Sequence, residues 1–432
     1  MASTYLTRTF STGNRDKWTW SAWVKRSKIG SIQELFTAYA DSSNLTEIRF
    51  DSDDSLQFQD KAANSWQGEI KSNDRFRDTN GWYHIMAIWD TGNSTATDRM
   101  RFYVNNRELT SFATDTIPGQ NNDSTINRNC GHQIGSLNSN ANKFDGIMSH
   151  VHFCDGYAYS PSDFGETDTT TGEWKAKTSP SVNYGTTGFL ILKDGNTITD
   201  QSSNSNDFTL GGGTLTNLKD NPDNVFATMN PNNTTSNVTL TNGNTSVSLN
   251  GTYTTYGTIQ VTKGKFYWEQ KINGSSLFAS VADGNAGSMK TVGLLNENYA
   301  WAYRSDGNKQ TGGTVTSWGN SFTTNDIIST ALDMDNGKIY WAKNGVWQES
   351  GNPATGANPA FTGLNTSLYA PDGLTPCVGQ YSGDQNTSFN FGNGYFGTTA
   401  VSSAGTNASD NGIFEYDVPT GYTALSTKGL NL

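Results

Sequence analysis

The stretch "NDIISTALDMDNGKIYWAKNGVWQ" (325–348) sets two Asn-Gly pairs, Asn336-Gly337 and Asn344-Gly345, eight residues apart. Asn-Gly is the strongest short signal for a two-residue hairpin turn, because both central residues take positive φ. Ile328, Leu332 and Met334 fall on one face of the first strand, and Ile339 and Trp341 continue that face after the turn. A meander of successive hairpins is predicted. Such a meander must pair and bury one face, which points to an antiparallel sandwich rather than a helical fold.

The rest of the chain agrees. Its 432 residues hold 45 Gly, few charges and 12 Trp, 18 Tyr and 21 Phe. That composition suits many short strands joined by turns around aromatic cores, and no segment keeps helical periodicity beyond two turns. "KWTWSAWVKR" (17–26) puts Trp18, Trp20, Ala22 and Val24 on one face and Thr19, Ser21 and Trp23 on the other. "WYHIMAIWD" (82–90) and "RMRFYVNNREL" (99–109) follow, the latter turning at Asn105-Asn106. The length exceeds one ordinary core. The expected fold is all-β, two tandem antiparallel β-sandwiches. The first spans residues 1–165, a connecting region with short strands 166–230, the second sandwich 231–398 and a C-terminal tail 399–432.

The formal charge of −11 falls mainly after residue 150, since the first 150 residues hold 16 Lys and Arg against 17 Asp and Glu. No basic stripe exists to neutralise phosphates, so nucleic acid is excluded as a partner, and an acidic surface also repels an anionic membrane. The opening "MASTYLTRTF" lacks the apolar run of a signal peptide. Cys130, Cys154 and Cys377 are odd in number and far apart, so no disulfide framework is indicated and synthesis in a reducing cytoplasm is expected.

Two families are resembled. "KFYWEQKI", "VGLLN", "WAYRSDGNK", "DIISTALDMDNGKIYWAKNGV" and "FNFGNGYF" occur in the order and spacing of a SPRY (B30.2-like) domain. "TWSAWVK", "GWYHIMAIWD", "RFYVNN" and "FDGIMSHVHFCDGYAYSPSDF" resemble the laminin-G-like, concanavalin A-like jelly roll, with His150 and His152 where that family often has acidic or basic residues. The tandem order, "DNPDNVFATMNP" and "FEYDVPTGYTALSTKGLNL" resemble virion proteins of marine-type bacteriophages. This resemblance implies a structural protein on the virion exterior, a tail-fibre or receptor-binding adhesin. Its implied partners are other virion proteins and a host surface glycan or protein. A capsid decoration or head-fibre protein is the alternative, and a polysaccharide-degrading enzyme a further one. The resemblance also implies a homo-oligomer, although no heptad or β-helix repeat encodes one here.

The candidate sites follow from chemistry. Glycan recognition wants an aromatic platform with polar groups beside it. Tyr303, Arg304 and Trp318 lie near predicted loops, where SPRY domains usually hold ligands, and Trp347 and Tyr381 join them. Glycoside hydrolysis wants two carboxylates facing one sugar. Glu47 with Asp51 and Asp53, and Glu415 with Asp417, come nearest and complete no such pattern, so no catalytic residue is assigned. His150, His152 and Cys154 alternate along one strand and would share a face, a donor set that suits zinc, joined by Cys130 and His132 only if the fold placed them nearby. The plainer reading is that they line a sandwich face, and no metal is assigned. "DSDD" (51–54) reads as a turn, and a structural calcium ion remains compatible with such loops without an assigned ligand.

Overall fold

The computed structural model describes residues 4–431 except 139–140, 194, 196–197, 252, 285–297 and 367–371. The piece "VGLLN" (292–296) therefore lies outside the described residues. The chain is all-β and forms two compact units, Met1–Asn217 and Leu218–Leu432. No helix among the described residues is long and apolar enough to cross a membrane.

In the first unit an eight-stranded antiparallel sheet runs from Phe112–Thr116 through Ser65–Ser72, Leu56–Ala62, Asn44–Phe50, Gln33–Asp41, Gly131–Ile134 and Tyr5–Thr9 to Thr209–Gly212. A six-stranded sheet runs from Phe189–Ile191 through Gly146–Asp155, Lys17–Arg26, Tyr83–Asp90 and Met100–Val104 to Arg107–Glu108. The period-2 pattern of "KWTWSAWVKR" sorts as expected, with Trp18, Trp20, Ala22 and Val24 in the core between the sheets. Trp18 meets Phe58 of the facing sheet at 5.5 Å, and Trp20 stacks on Phe36 at 6.2 Å. Each such ring takes roughly 150–250 Å² out of water, worth about 4–6 kcal/mol as an upper bound. Burial of this size from facing strands holds the two sheets together.

The stretch expected as a connector supplies edge strands. Phe189–Ile191, from the apolar patch "GFLILKD", pairs with Gly146–Asp155, and Thr209–Gly212 pairs with Tyr5–Thr9. Ahead of both, after Gly146–Asp155, Gly165–Thr167 and Trp174–Ala176 form a hairpin. Its neighbours Phe164, Tyr159, Val182 and Tyr184 pack on Met86, Ile88 and Cys154, which face away from the core.

In the second unit a nine-stranded sheet runs from Val238–Thr241 through Ser246–Leu249, Gln385–Asn390, Lys265–Ile272, Ile327–Asp333 and Lys338–Lys343 to Val346–Trp347, with Phe361–Thr362 also on Lys338–Lys343. A six-stranded sheet runs from Thr254–Tyr256 through Thr375–Gly379, Phe278–Ala282, Ala300–Arg304 and Asn308–Thr311 to Thr314–Ser317. The residues after 398 belong to this body. Thr423–Ala424 lies parallel to Phe266 and Tyr267, beside the half of that central strand that Gln385–Asn390 leaves unpaired. Phe414 stands edge-on against Tyr267 at 4.9 Å.

The two Asn-Gly turns differ. Asn344 and Gly345 have φ of 50° and 79° between the paired residues Lys343 and Val346, the tight two-residue loop expected. Asn336-Gly337 corrects the expectation. The pairing closes at Asp333 and Lys338, so the loop has four residues, Met334 leaves the strand for the loop, and only Gly337 has positive φ. The cause is local: the Asn336 backbone and side-chain N–H groups both bond the Asp333 carboxylate, at 3.0 and 2.9 Å. A Cβ on Gly337, at φ +59°, would sit 2.3 Å from the Asn365 side-chain oxygen. Gly337→Ala is therefore expected to cost about 1–2 kcal/mol by urea unfolding, against less than half of that for Ala at exposed Gly131, which has open space and no positive φ.

Candidate functional site

The five aromatic and cationic candidates of the second unit form two groups on opposite faces of its six-stranded sheet. Tyr303 points into the core, wholly buried, and its hydroxyl donates to the Asn320 carbonyl. Half-buried Trp318 stands edge-on to it at 5.1 Å and to Trp341 at 5.9 Å. Lys309 completes this edge, its ammonium 5.9 Å from the Trp318 ring and 4.9 Å from that of Phe361. Trp347 is half-buried against the same core at the margin of the larger sheet. Arg304, the next residue along its strand, projects from the other face. Its guanidinium covers Tyr381 at 4.7 Å, pairs with Asp306 at 2.9 Å and donates to Gln310 at 2.7 Å. Tyr303 therefore serves packing, and the five residues do not form one platform. Sequence adjacency misled here because neighbours on a strand point apart.

The acidic candidates are engaged in holding turns. Glu415 accepts from the backbone and hydroxyl of Ser402, and Asp417 from the backbone and hydroxyl of Thr406 at 2.6 and 2.8 Å. In "DSDD", Lys71 pairs with Asp51 and with Asp53, Arg75 with Asp53 at 3.0 Å, and Arg26 and Arg77 with Asp54 at 3.1 and 2.9 Å. Against partial burial, the hydroxyl and backbone N–H of Ser55, then Lys71, hold Asp53 at about 2, well below the ordinary carboxylate value. These carboxylates neutralise cations of the protein itself.

The histidine reading changes with the backbone. A bulge between Ser149 and His152 interrupts the pairing with Lys17–Arg26, and His150 takes φ of 49°. That extra residue takes His150 out of the regular alternation, while His152 and Cys154 stay in register and share the face turned away from the core. His152 bonds the Tyr184 hydroxyl through Nδ1 at 2.9 Å, and Cys154 is buried against Met86, Ile88 and Phe164. His132 belongs to the other sheet, stacked on Phe10 at 3.7 Å, its Nε2 accepting from the Asn127 N–H and its Nδ1 facing the Cys130 carbonyl. Among the described residues no group of three or more His, Cys, Asp or Glu side chains could hold a metal ion.

A different surface stands out, on the face of the eight-stranded sheet turned away from the core. Ile48, Phe58 and Ile70 form one inward cross-strand row, so their neighbours along each strand face out. One cross-strand row reads Gln133, Thr37, Glu47, Gln59, Glu69, and the next Glu34, Arg49, Gln57, Lys71. A third reads Tyr39, Leu45, Lys61, Trp66. Arg49 donates to Glu47 at 3.0 Å and to Gln57 at 2.9 and 3.1 Å, Gln57 to Glu69 at 2.7 Å, and Gln59 to Glu47. Trp66 remains 39% exposed, with the Lys61 ammonium 5.6 Å from its ring. Gln133 keeps a buried side-chain oxygen with no donor.

Within this lattice Glu34 is fully buried. Asn142 donates to its Oε1 at 3.2 Å, and Arg49 lies at 3.7 Å. Oε2 meets no N–H or O–H group, and its neighbour is the carboxyl of Glu47. Two carboxylates in contact hold together with one proton between them. Burial, reinforced by the Glu47 charge, pushes Glu34 well above the usual carboxylate range. Glu47, Gln57 and Gln59 are themselves buried in this lattice. The groups left to meet a ligand's hydroxyls are the partly exposed Arg49, Lys61, Glu69 and Lys71, beside the indole of Trp66 on which an apolar ring face can stack. Only Glu47 of this set was singled out from sequence. The signal was present in "NLTEIRF", "LQFQDKA" and "SWQGEIKS", where polar residues recur at the outward positions of three consecutive strands.

Comparison with known proteins agrees with this architecture. Residues 2–163 match the family model of the concanavalin A-like lectin/glucanases superfamily (Laminin_G_3), and residues 235–394 match that of the SPRY domain. No curated protein matches the chain. Similar solved structures include the SPRY domain of human HERC1, 22% identical, covering 37% of this chain and 96% of that one with a TM-score of 0.29. The SAP-like pentraxin of Limulus polyphemus is 16% identical, covering 36% of this chain and 71% of that one with a TM-score of 0.28. The chain thus carries a Laminin_G_3 domain of the concanavalin A-like superfamily followed by a SPRY domain.

Proposed function

We propose that this chain is a non-enzymatic recognition protein on the exterior of a bacteriophage particle, and that it meets a host surface glycan through the outer face of its eight-stranded sheet. The observation that carries the recognition reading is exposed Trp66 beside the partly exposed Arg49, Lys61, Glu69 and Lys71, held in place by the buried pairs of Glu47 with Arg49 and Gln59 beneath them. Hydroxyl-rich ligands match it, because each sugar hydroxyl both donates and accepts while the sugar's C–H face packs on an aromatic ring. The virion setting is supported by the resemblance of "DNPDNVFATMNP" and "FEYDVPTGYTALSTKGLNL" to phage structural proteins.

Hydrolysis is the weaker reading of the same face. A retaining pair stands about 5 Å apart with an ionised nucleophile open to the sugar. Glu34 has no exposed surface, and Glu47 is occupied by Arg49 and Gln59. A reducing-sugar assay showing turnover that Glu47→Gln abolishes would reverse this order.

Immunogold electron microscopy of intact particles with an antibody against the chain tests the setting. Gold at the tail or fibres is expected. Gold over the head would instead make the chain a capsid decoration, and unlabelled particles would remove the virion assignment.

A further inference from the structure

We propose that residues 157–184 form an acid-released strap, clamped to the outer face of the six-stranded sheet of the first unit by the neutral imidazoles of His84 and His152. The proposal is independent of the glycan reading and concerns the opposite sheet.

The strap lies over a mixed surface. Phe164, Tyr159, Val182 and Tyr184 cover Met86, Ile88 and Cys154, and the strap's hairpin brings Trp174 onto His84. Trp174 is fixed from behind as well, since a Cβ on Gly165 would sit 2.2 Å from its ring. Two polar contacts tie this layer down. The Trp174 indole N–H donates to His84 Nδ1 at 3.0 Å, and Tyr184 bonds His152 Nδ1 at 2.9 Å. Both imidazoles are buried.

The geometry fixes the protonation state of His84. An indole nitrogen only donates, so Nδ1 holds the lone pair and Nε2 carries the proton, which it gives to the Ser21 hydroxyl at 2.8 Å. A second proton on the ring would set an N–H against an N–H, and the Trp174 contact would be lost. The Tyr184 hydroxyl can reverse its role, so His152 adds to the response while His84 triggers it.

The surroundings do not favour a charged ring. His84 shares its sheet face with Lys25 of one adjacent strand and with Arg101 and Tyr103 of the other. His150 lies close enough to disfavour charge on both rings, and His84 and Lys193 add to this at His152. From the strap come Tyr159, Asp163, Tyr184, and Lys175 paired with Glu166 and Asp168; Cys154 lies beneath. No carboxylate hydrogen-bonds either imidazole among the described residues. Burial, then His150, holds His84 at about 3.

Opening the strap returns these rings to water, where histidine titrates at about 6.5. Below that pH, opening becomes about tenfold more favourable per unit for each histidine, until the closed-state value is reached. His84 alone therefore favours opening by about fiftyfold between pH 6.5 and 4.5.

The test is hydrogen–deuterium exchange of the full chain from pH 7.5 to 4.5, corrected for the intrinsic pH dependence of exchange. Protection of peptides within 157–184 should fall about fiftyfold or more between pH 6.5 and 4.5, while the core strand Lys17–Arg26 stays protected. In the double variant His84→Asn and His152→Asn, whose amide oxygens can accept in place of Nδ1, that acid response should vanish. Constant protection of the strap, loss in step with the core strand, or an unchanged response in the variant would each overturn the proposal. The wild-type comparison of strap with core decides the matter even if the variant fails to fold.

Discussion

Glu269→Ala should detach the C-terminal segment of the second unit and destabilise that unit by about 3–5 kcal/mol. Glu269 is wholly buried on the central strand Lys265–Ile272 and accepts four hydrogen bonds. They come from the backbone N–H groups of Glu415 and Tyr416 at 2.9 and 2.8 Å, the Tyr267 hydroxyl at 3.1 Å and the Asn390 amide at 3.2 Å. Alanine removes the acceptor and leaves these donors in a dry layer beneath Phe414. An orphaned buried donor costs about 1–3 kcal/mol, and partial relaxation keeps the total below the sum. Urea unfolding followed by tryptophan fluorescence should show an earlier transition, and protease should cut between residues 399 and 431 where the wild-type chain resists. An unchanged transition would mean that apolar contacts alone hold the segment.

Glu34→Gln should do the opposite, raising stability at neutral pH. The folded-state pKa of Glu34 lies above its unfolded value, so the folded chain keeps a proton that the unfolded chain releases. Stability is then full below about pH 4.3 and declines by up to about 1.4 kcal/mol per pH unit as the pH rises toward the folded value. Glutamine retains a neutral donor toward Glu47 and titrates in neither state. The gap between variant and wild type should be near zero at pH 4 and widen steadily toward pH 8. A gap that narrows over this range would show that Glu34 is held ionised. Asp60, pushed up to about 6, and Glu269, pushed up to about 7, add slopes of the same sign. His84 and His152 are depressed, so their contribution is full above pH 6.5 and is lost as the pH falls.

What the sequence revealed followed from regular periodicity. The Trp18, Trp20, Ala22, Val24 stripe predicted its own burial, and Asn344-Gly345 predicted its own turn. Periodicity fails where one residue breaks it. The bulge before His152 takes His150 out of the regular alternation while His152 and Cys154 keep one face, and an Asp333 side chain turned Asn336-Gly337 into a longer loop. Edge strands as short as Phe189–Ile191 and Thr423–Ala424 carry too few residues to show alternation, which is why their pairing into the two sandwiches was hidden. The polar face was hidden for another reason. Glu34, Arg49 and Gln57 are far apart in sequence and meet only through register, while the aromatic candidates drew attention to the second unit.

The central claim, that the polar face of the first unit receives a glycan, is tested most directly by binding of the full-length chain to a panel of bacterial surface polysaccharides. Wild type should be compared with Trp66→Ala and Arg304→Ala. Removing the exposed indole should weaken binding roughly thirtyfold, about 2 kcal/mol, while Arg304→Ala on the second unit leaves it within about twofold. Binding that survives Trp66→Ala and disappears with Arg304→Ala would contradict the account and move the site to the SPRY domain.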